Sequence, residues 1–277
     1  MAALRPGPVQ GAVPGRSFDR LIHTAGRATN SLPGVTFLEM LAVAGAGVVA
    51  GAVNAIVGSG SLVTFPTLLA VGYPPVTANV SNTVGLVFGG ISGAWGYRRE
   101  LAGQRRRVLT LGVGSALGAL AGGILLLELP GEVFEGIVPI LILLSVALMA
   151  FRPKPRQAER DHLTPATGGS FLTGIYGGYF GAAQGVILLA GLRIAFADDL
   201  QRLNAVKNVL AGIANGVAAI LFVVAADVAW GAAALIAGGS IAGAWVGAHY
   251  GRRLPEVWLR RIVIVGGVIV AVILIVK

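Results

Sequence analysis

The chain has no cysteine among its 277 residues, so disulfides, thiolate metal sites and thiol nucleophiles are excluded. Charge is scarce: Asp, Glu, Lys and Arg together make up 12% of the chain, about half the ~25% of a soluble domain. The three histidines, His23, His162 and His249, stand far apart and make no ligand spacing. There is no His-Glu-x-x-His, no nucleophile elbow and no Walker loop. Met1 to Gly34 lacks an apolar core ahead of a small-residue cleavage site, so it reads as a mobile tail rather than a secretory signal. No pair of acids sits inside an apolar span, which argues against a carboxylate-coupled proton pump. Enzymatic chemistry, a metal and a cofactor are therefore not expected.

What remains is apolar. The chain is 55% hydrophobic with a mean hydropathy of +0.80, and its 42 glycines suit membrane helices whose backbones approach closely. The net charge of +9 could suggest a nucleic-acid partner. Here, however, the basic residues flank apolar spans, as topology determinants beside anionic lipid do. The partners expected are membrane lipid and a small solute, with no nucleic acid. The oligomeric state is left open, a homo-oligomer included.

Spanning segments of roughly 20 apolar residues order the chain into two halves. The first offers A (35–57), a short B (62–71), C (76–97), D (108–127) and E (133–151). After a charged linker come A′ (168–180), B′ (186–197), C′ (203–226), D′ (228–250) and E′ (257–276). The order long-or-broken, short, long, long, long thus occurs twice. Gly114-Ser-Ala-Leu-Gly-Ala aligns with Gly239-Ser-Ile-Ala-Gly-Ala, Leu129-Pro-Gly-Glu with Leu254-Pro-Glu-Val, and Asn79 with Asn204, all at an offset of 125. The reading is an all-α polytopic membrane protein built of two repeats, with eight to ten hydrophobic segments. The division is a tail (1–34), a first repeat (35–151), a cytoplasmic linker (152–167) and a second repeat (168–277).

Basic loops orient the repeats. The C–D loop holds Arg98, Arg99, Arg105, Arg106 and Arg107; the linker holds Arg152, Lys154, Arg156 and Arg160; the D′–E′ loop holds Arg252, Arg253, Arg260 and Arg261. All three belong inside. The D–E turn, with Glu128, Glu132 and Glu135, and the C′–D′ turn, with Asp227, carry no base and belong outside. The halves are therefore expected to be inverted. The side of the N-terminus stays open, because symmetry puts it outside while its four arginines argue for inside.

From Met40 to Tyr97 there is no charged residue, a run of 58. Its middle is broken by Gly58-Ser-Gly-Ser61. Broken backbone at membrane depth survives only where protein or water supplies partners. The short helix that follows would present N–H groups and a positive dipole end, a natural anion site. Ser59, Gly60, Ser61 and Thr64 are the candidates there, with Pro66 read as lying in the first turn. A tight helix-packing patch is the structural alternative. The second break, Gly174 to Gln184, makes Gln184 a candidate. At the start of C, Asn79, Asn82 and Thr83 share one helix face, which fits either a site or inter-helix hydrogen bonds. Lys207 lies five residues into C′, with Asn204 and Asn208 beside it. A charge at depth needs a partner or a wet cavity, and a bound anion would serve. Snorkelling to the interface is the alternative. Trp95, Tyr97, Trp230, Tyr250 and Trp258 sit near span ends, as interfacial aromatics do.

At these residues the chain resembles the sulfite exporter TauE/SafE family of membrane permeases, from about Phe37 to Lys277. The matching pattern is the Gly-rich break and Pro at 58–66, the Pro turn and polar helix start at 74–83, and the basic loop at 98–107. In the second half it is the aromatic-Gly break at 176–185, Lys207 and the later Asn215. The chain departs from the family pattern at Ser59 and Ser61, at Thr83, where members often carry Lys, and at Gly177, where they often carry Asp. The resemblance implies export of sulfite, sulfoacetate or related organosulfur anions across the bacterial inner membrane. A donor-rich, acid-poor site independently suits an anion. The alternatives are a permease importing another small solute and a non-transporting scaffold or sensor subunit.

Overall fold

The computed structural model describes residues 36–150 and 162–250, together with positions 264, 265 and 268. The tail, the charged part of the linker, the basic D′–E′ loop and most of segment E′ lie outside the described residues. Among the described residues there are nine helices and no strand: α1 (Phe37–Ile56), α2 (Ser61–Val71), α3 (Pro75–Gly96), α4 (Arg105–Glu128), α5 (Gly131–Ala150), α6 (Leu163–Tyr179), α7 (Gln184–Ala195), α8 (Leu200–Ala225) and α9 (Trp230–Tyr250). They correspond in order to segments A–E and A′–D′.

The boundaries follow local chemistry. Thr36 caps α1 with its hydroxyl on the Glu39 N–H (3.3 Å), while the Glu39 carboxylate accepts from the Thr36 N–H (2.7 Å). This reciprocal capping box explains the one acid at the start of an otherwise neutral run. Gly72, at φ 101°, stops α2 in the left-handed conformation, and Pro75 begins α3 where its missing N–H costs nothing. Asp199 caps α8 by accepting from the Gln201 N–H (2.8 Å). Two expectations shift. Pro66 lies in the second turn of α2, inside the helix, rather than in its first turn. The helix of segment A′ begins at Leu163, within the stretch read as linker. Pro165 falls in its first turn, where a proline is compatible with a helix.

Among the described residues five helices are long and apolar enough to cross a membrane: α1, α4, α5, α8 and α9. At 11 and 12 residues, α2 and α7 are only about 17 and 18 Å long, against a ~30 Å hydrocarbon core. Outward-facing Leu109, Val113 and Leu117 are more than half exposed, as lipid-facing side chains are.

The long helices pack by exchanging partners between halves. α4 lies along α6 and α9 along α1, while α3 and α8 meet at the centre. Both outer pairs rest on glycine ladders, Gly114/Gly118/Gly122 on α4 and Gly239/Gly243/Gly247 on α9. A Cβ at Gly118 would lie 2.1 Å from the Phe171 carbonyl oxygen, and one at Gly243 would lie 1.8 Å from that of Val48. Each pair is thus in backbone contact, which small residues alone permit. The duplicated motif seen in the sequence is a duplicated interface. Gly118→Ala and Gly243→Ala should each destabilise the protein by about 1–3 kcal/mol through overpacking. Gly136→Ala on α5, with open space around it, should be neutral or stabilise by up to about 1 kcal/mol. Unfolding of the detergent-solubilised protein measures all three.

Candidate functional site

The two helix breaks touch. Gly58, at φ +90°, turns the chain between α1 and α2. Gly181, at φ +76°, and Ala183, at φ +60°, turn it between α6 and α7. The Gly185 N–H donates to the Gly58 carbonyl at 2.9 Å, and a Cβ built on either glycine would come within 2.5 Å of the other's Cα. Only two glycines allow the crossing, so backbone polar groups freed by each break sit beside those of the other.

Each break leaves carbonyls at a helix C-terminus, and a polar residue from the opposite half meets them. At the end of α1 the N–H groups of Val57 and Gly58 both turn back to the Val53 carbonyl (2.7 and 3.0 Å). The Asn54 and Ala55 carbonyls are met from α8 instead. Lys207 Nζ donates to Asn54 O (3.0 Å) and Ala55 O (3.5 Å), and Asn204 Nδ2 and Asn208 Nδ2 donate to Ala55 O at 3.1 and 3.2 Å. At the end of α6 the Phe180 and Gly181 N–H groups likewise both turn back to Tyr176 O (2.9 and 3.1 Å), and Asn79 Nδ2 donates to Tyr179 O (2.9 Å). Asn79 and Asn204, 125 residues apart, therefore do the same work in the two halves.

The same offset aligns Asn82 with Lys207 and Thr83 with Asn208, and here the halves differ. Lys207 is 0% exposed. Its ammonium does not snorkel; it sits at the negative end of the α1 dipole, where a cation is favoured. Its neutral counterpart Asn82 turns to α2, donating to Ser61 Oγ (3.1 Å) and accepting from the Thr64 hydroxyl. Both residues thus face the first break, Lys207 as a charge on the carbonyls of α1 and Asn82 as an amide on the start of α2.

The N–H groups expected to cradle an anion are mostly spoken for. Gly60 N–H reaches Asn54 Oδ1 (3.4 Å), Leu62 N–H reaches Ser59 O (3.1 Å) and Val63 N–H reaches Gly60 O (2.9 Å). A one-turn break closes its own donors into tight turns, so the groups left are side chains. Four buried polar atoms around the breaks have no partner among the described residues: Gln184 Nε2, the Tyr179 hydroxyl, Asn79 Oδ1 and Asn204 Oδ1. The two Asn amides are oriented by the carbonyls to which they donate, which makes their Oδ1 atoms the unpaired ends. Such groups cost about 1–3 kcal/mol each when unsatisfied, a common signature of a place where a solute or water engages.

All eleven residues singled out in the sequence are buried. Ser61, Thr64 and Asn82 form one cluster; Asn204, Lys207 and Asn208 form another on the α1 carbonyls; Asn79 and Gln184 sit at the second break. Gly60 caps α2, and the Ser59 hydroxyl points to Met149 Sδ (3.5 Å). Thr83 stays apart, because its hydroxyl bonds back one turn to Asn79 O (2.9 Å). Three residues at the breaks were not singled out, one of them Tyr179, whose hydroxyl is among the unpartnered groups. Asn54 buttresses both α2 and Lys207, and its position in the last turn before the break was the available signal. Ser145 ties the second break together through the Tyr176 hydroxyl (2.7 Å) and Ala182 O (3.2 Å), and nothing in its sequence surroundings distinguishes it. Phe65, Phe134, Tyr179 and Phe180 close the region beside the second break, with ring centroids 5.3–6.1 Å apart, edge to face.

Comparison with known proteins agrees with this architecture. The sequence profile of the sulfite exporter TauE/SafE family matches residues 43–274. "Probable membrane transporter protein ORF9" of a Sinorhizobium species is 29% identical over 208 residues, covering 73% of this chain and 79% of the relative. A "Probable membrane transporter protein" of Haemophilus influenzae is 27% identical over 223 residues, 79% of this chain and 88% of its own. "Probable membrane transporter protein YfcA" of Escherichia coli is 26% identical over 210 residues, 74% and 76% respectively. No solved structure matches the chain.

Because Lys207 holds the end of α1, Lys207→Met should lower stability without any solute, by about 1.5–3 kcal/mol for lost charge-assisted hydrogen bonds. Thermal unfolding of the solute-free protein checks this. A lysine that served a solute alone would leave the midpoint unchanged.

Proposed function

The chain belongs to the sulfite exporter TauE/SafE family of multi-pass membrane transporters, and from that premise we propose that it exports small sulfur-containing oxyanions, such as sulfite or sulfoacetate, across the bacterial inner membrane. One observation carries the reading: the two helix breaks meet backbone to backbone at Gly58 and Gly185, ringed by buried donors from both halves. Secondary transporters place their solute sites at such paired breaks. The Gln184 amide, the Ser61 and Tyr179 hydroxyls and the cationic Lys207 supply hydrogen-bond donors and positive charge. No Asp or Glu occurs within 58–66 or 174–185, so nothing at the breaks themselves repels an anion.

The partner exchange supports a reading of alternating access. The contacts of α4 with α6 and of α9 with α1 are those of two equivalent units, and the basic loops orient those units oppositely. Rocking one unit on the other would part the Gly58–Gly185 contact and expose the donors to one side at a time. The aromatic cluster would seal the side nearer the acidic D–E turn, since Phe134 stands in the first turn of α5. Lys207 on its carbonyls is the charge that a bound anion would draw across. An inside-negative potential favours anion exit by ~2.3 kcal/mol per charge per 100 mV, so export needs no coupled ion.

The test is flux of labelled sulfite, sulfoacetate and sulfate from proteoliposomes held at an imposed potential. Efflux should rise when the lumen facing the basic loops is negative. Gln184→Ala and Asn82→Ala should reduce it by at least about 10-fold, the effect of losing roughly 1.4 kcal/mol of solute contact. Flux of none of these anions, or uptake of a neutral solute instead, would overturn the assignment.

A further inference from the structure

A second polar site lies away from the breaks, on the face of the basic loops. A pocket of about 370 Å³ opens between the N-terminus of α4, the start of α6 and the α7–α8 junction, lined by Gln104, Arg106, Arg107, Leu163, Phe196 and Arg202. Its positive charge is preorganised. Arg107 lies over the Phe196 ring at 4.1 Å and donates to Gln104 Oε1 (2.6 Å) and Asp198 Oδ2 (2.8 Å). Arg202 donates to the other oxygen of Asp198 (2.9 Å) and to Ala102 O (3.3 Å). Burial works against a charge on Asp198, yet the Arg107 hydrogen bond, the Asp199 N–H and the two guanidiniums hold its carboxyl below the ordinary value, so it is ionised at neutral pH. One carboxylate is thus shared by two arginines, and Arg106 adds a third. The segments 98–107 and 193–202 together carry seven arginines against three acids. Three of those arginines, 105–107, open α4 at its positive end with no side-chain cap and no acid in the first turn, an arrangement the helix dipole opposes. Among the described residues the arginines thus outnumber the acids, an excess that suits an anionic ligand.

The helix surface says which kind. Arg106, Leu109, Val113 and Leu117 fall on one face of α4 at helical spacing. The three apolar side chains are 58%, 61% and 55% exposed, and Arg106 is exposed at their head. A basic pocket at the top of a bare apolar stripe has the two-part form of a phospholipid. We propose that this pocket binds the phosphate of an anionic phospholipid headgroup, with an acyl chain lying along Leu109, Val113 and Leu117. Arginine suits phosphate through paired, charge-assisted N–H···O bonds. Basic pockets between spanning helices on the cytoplasmic side take such headgroups. The lipid would sit across a seam joining the two halves, since α4 belongs to the first and Asp198 and Arg202 to the second.

The full-length protein, delipidated in detergent, is titrated with phosphatidylglycerol, phosphatidylcholine or inorganic phosphate, with binding read by native mass spectrometry and by the unfolding midpoint. Phosphatidylglycerol should bind at least about 5-fold more tightly than phosphatidylcholine. Arg106→Gln should erase at least about 5-fold of that affinity, the effect expected of one arginine near the surface. Arg106 is exposed, so this variant should fold. Arg98→Gln, which removes an exposed arginine stacked on Trp95 outside the pocket, should change nothing. Equal affinity for the two lipids, an unaffected Arg106→Gln, or an equal loss in Arg98→Gln would overturn the site. Protection by inorganic phosphate as strong as that by phosphatidylglycerol would overturn the lipid as its source. None of these readouts depends on transport.

Discussion

A helix that stops inside a membrane leaves carbonyls without N–H partners, and lipid offers them none. In this protein both stops are resolved by the other half of the chain. Lys207, Asn204 and Asn208 of α8 cover the end of α1, and Asn79 of α3 covers the end of α6. The crossing at Gly58 and Gly185 brings the stops close enough for this to happen. Each break thus draws on side chains of the opposite half, which makes the polar centre a requirement of the fold.

That requirement governs the rest of the packing. The crossing needs the flanking long helices at backbone distance, which the glycine ladders of α4 and α9 provide. The same small residues leave the large apolar side chains pointing outward, where lipid replaces protein. The asymmetry between halves is confined to a few side chains. At matching positions the second half carries Lys207 and the first carries Asn82, so the carbonyls of α1 are met by a full charge while those of α6 are met by the amide of Asn79.

Much of this was legible in the sequence. Segment order, the two breaks and all nine described helices follow from apolar runs interrupted by Gly, Pro and polar residues. The eleven candidate residues are buried because each is a polar exception within an apolar helix or at a break. What each one touches was less legible. No acid lies near Lys207 along α8, so the sequence points to an anion as its partner. Its hydrogen-bond acceptors are backbone carbonyls 152 and 153 residues away, and a carbonyl carries no residue-type signal. Ser145 carries no signal for the same reason, as a lone serine in α5 whose partners Tyr176 and Ala182 belong to the other half. Pro66 was placed one turn too early because the N-terminus of α2 is set by the Gly58 crossing, not by the local pattern.

The sequence by itself determined that the chain is a helical membrane protein, broken at two polar, glycine-rich segments. Hydropathy, helix breaking and loop charge act residue by residue along the chain and need no knowledge of the fold. Tertiary structure alone decided that the breaks meet, which donors fill which helix end, and that Arg107 and Arg202 share Asp198 beside a pocket. Apart from Arg202 and Asp198, one helical turn apart, those pairings join groups about 90 to 153 residues apart in the sequence, and their energies arise only when packing removes water and brings the partners within hydrogen-bonding distance.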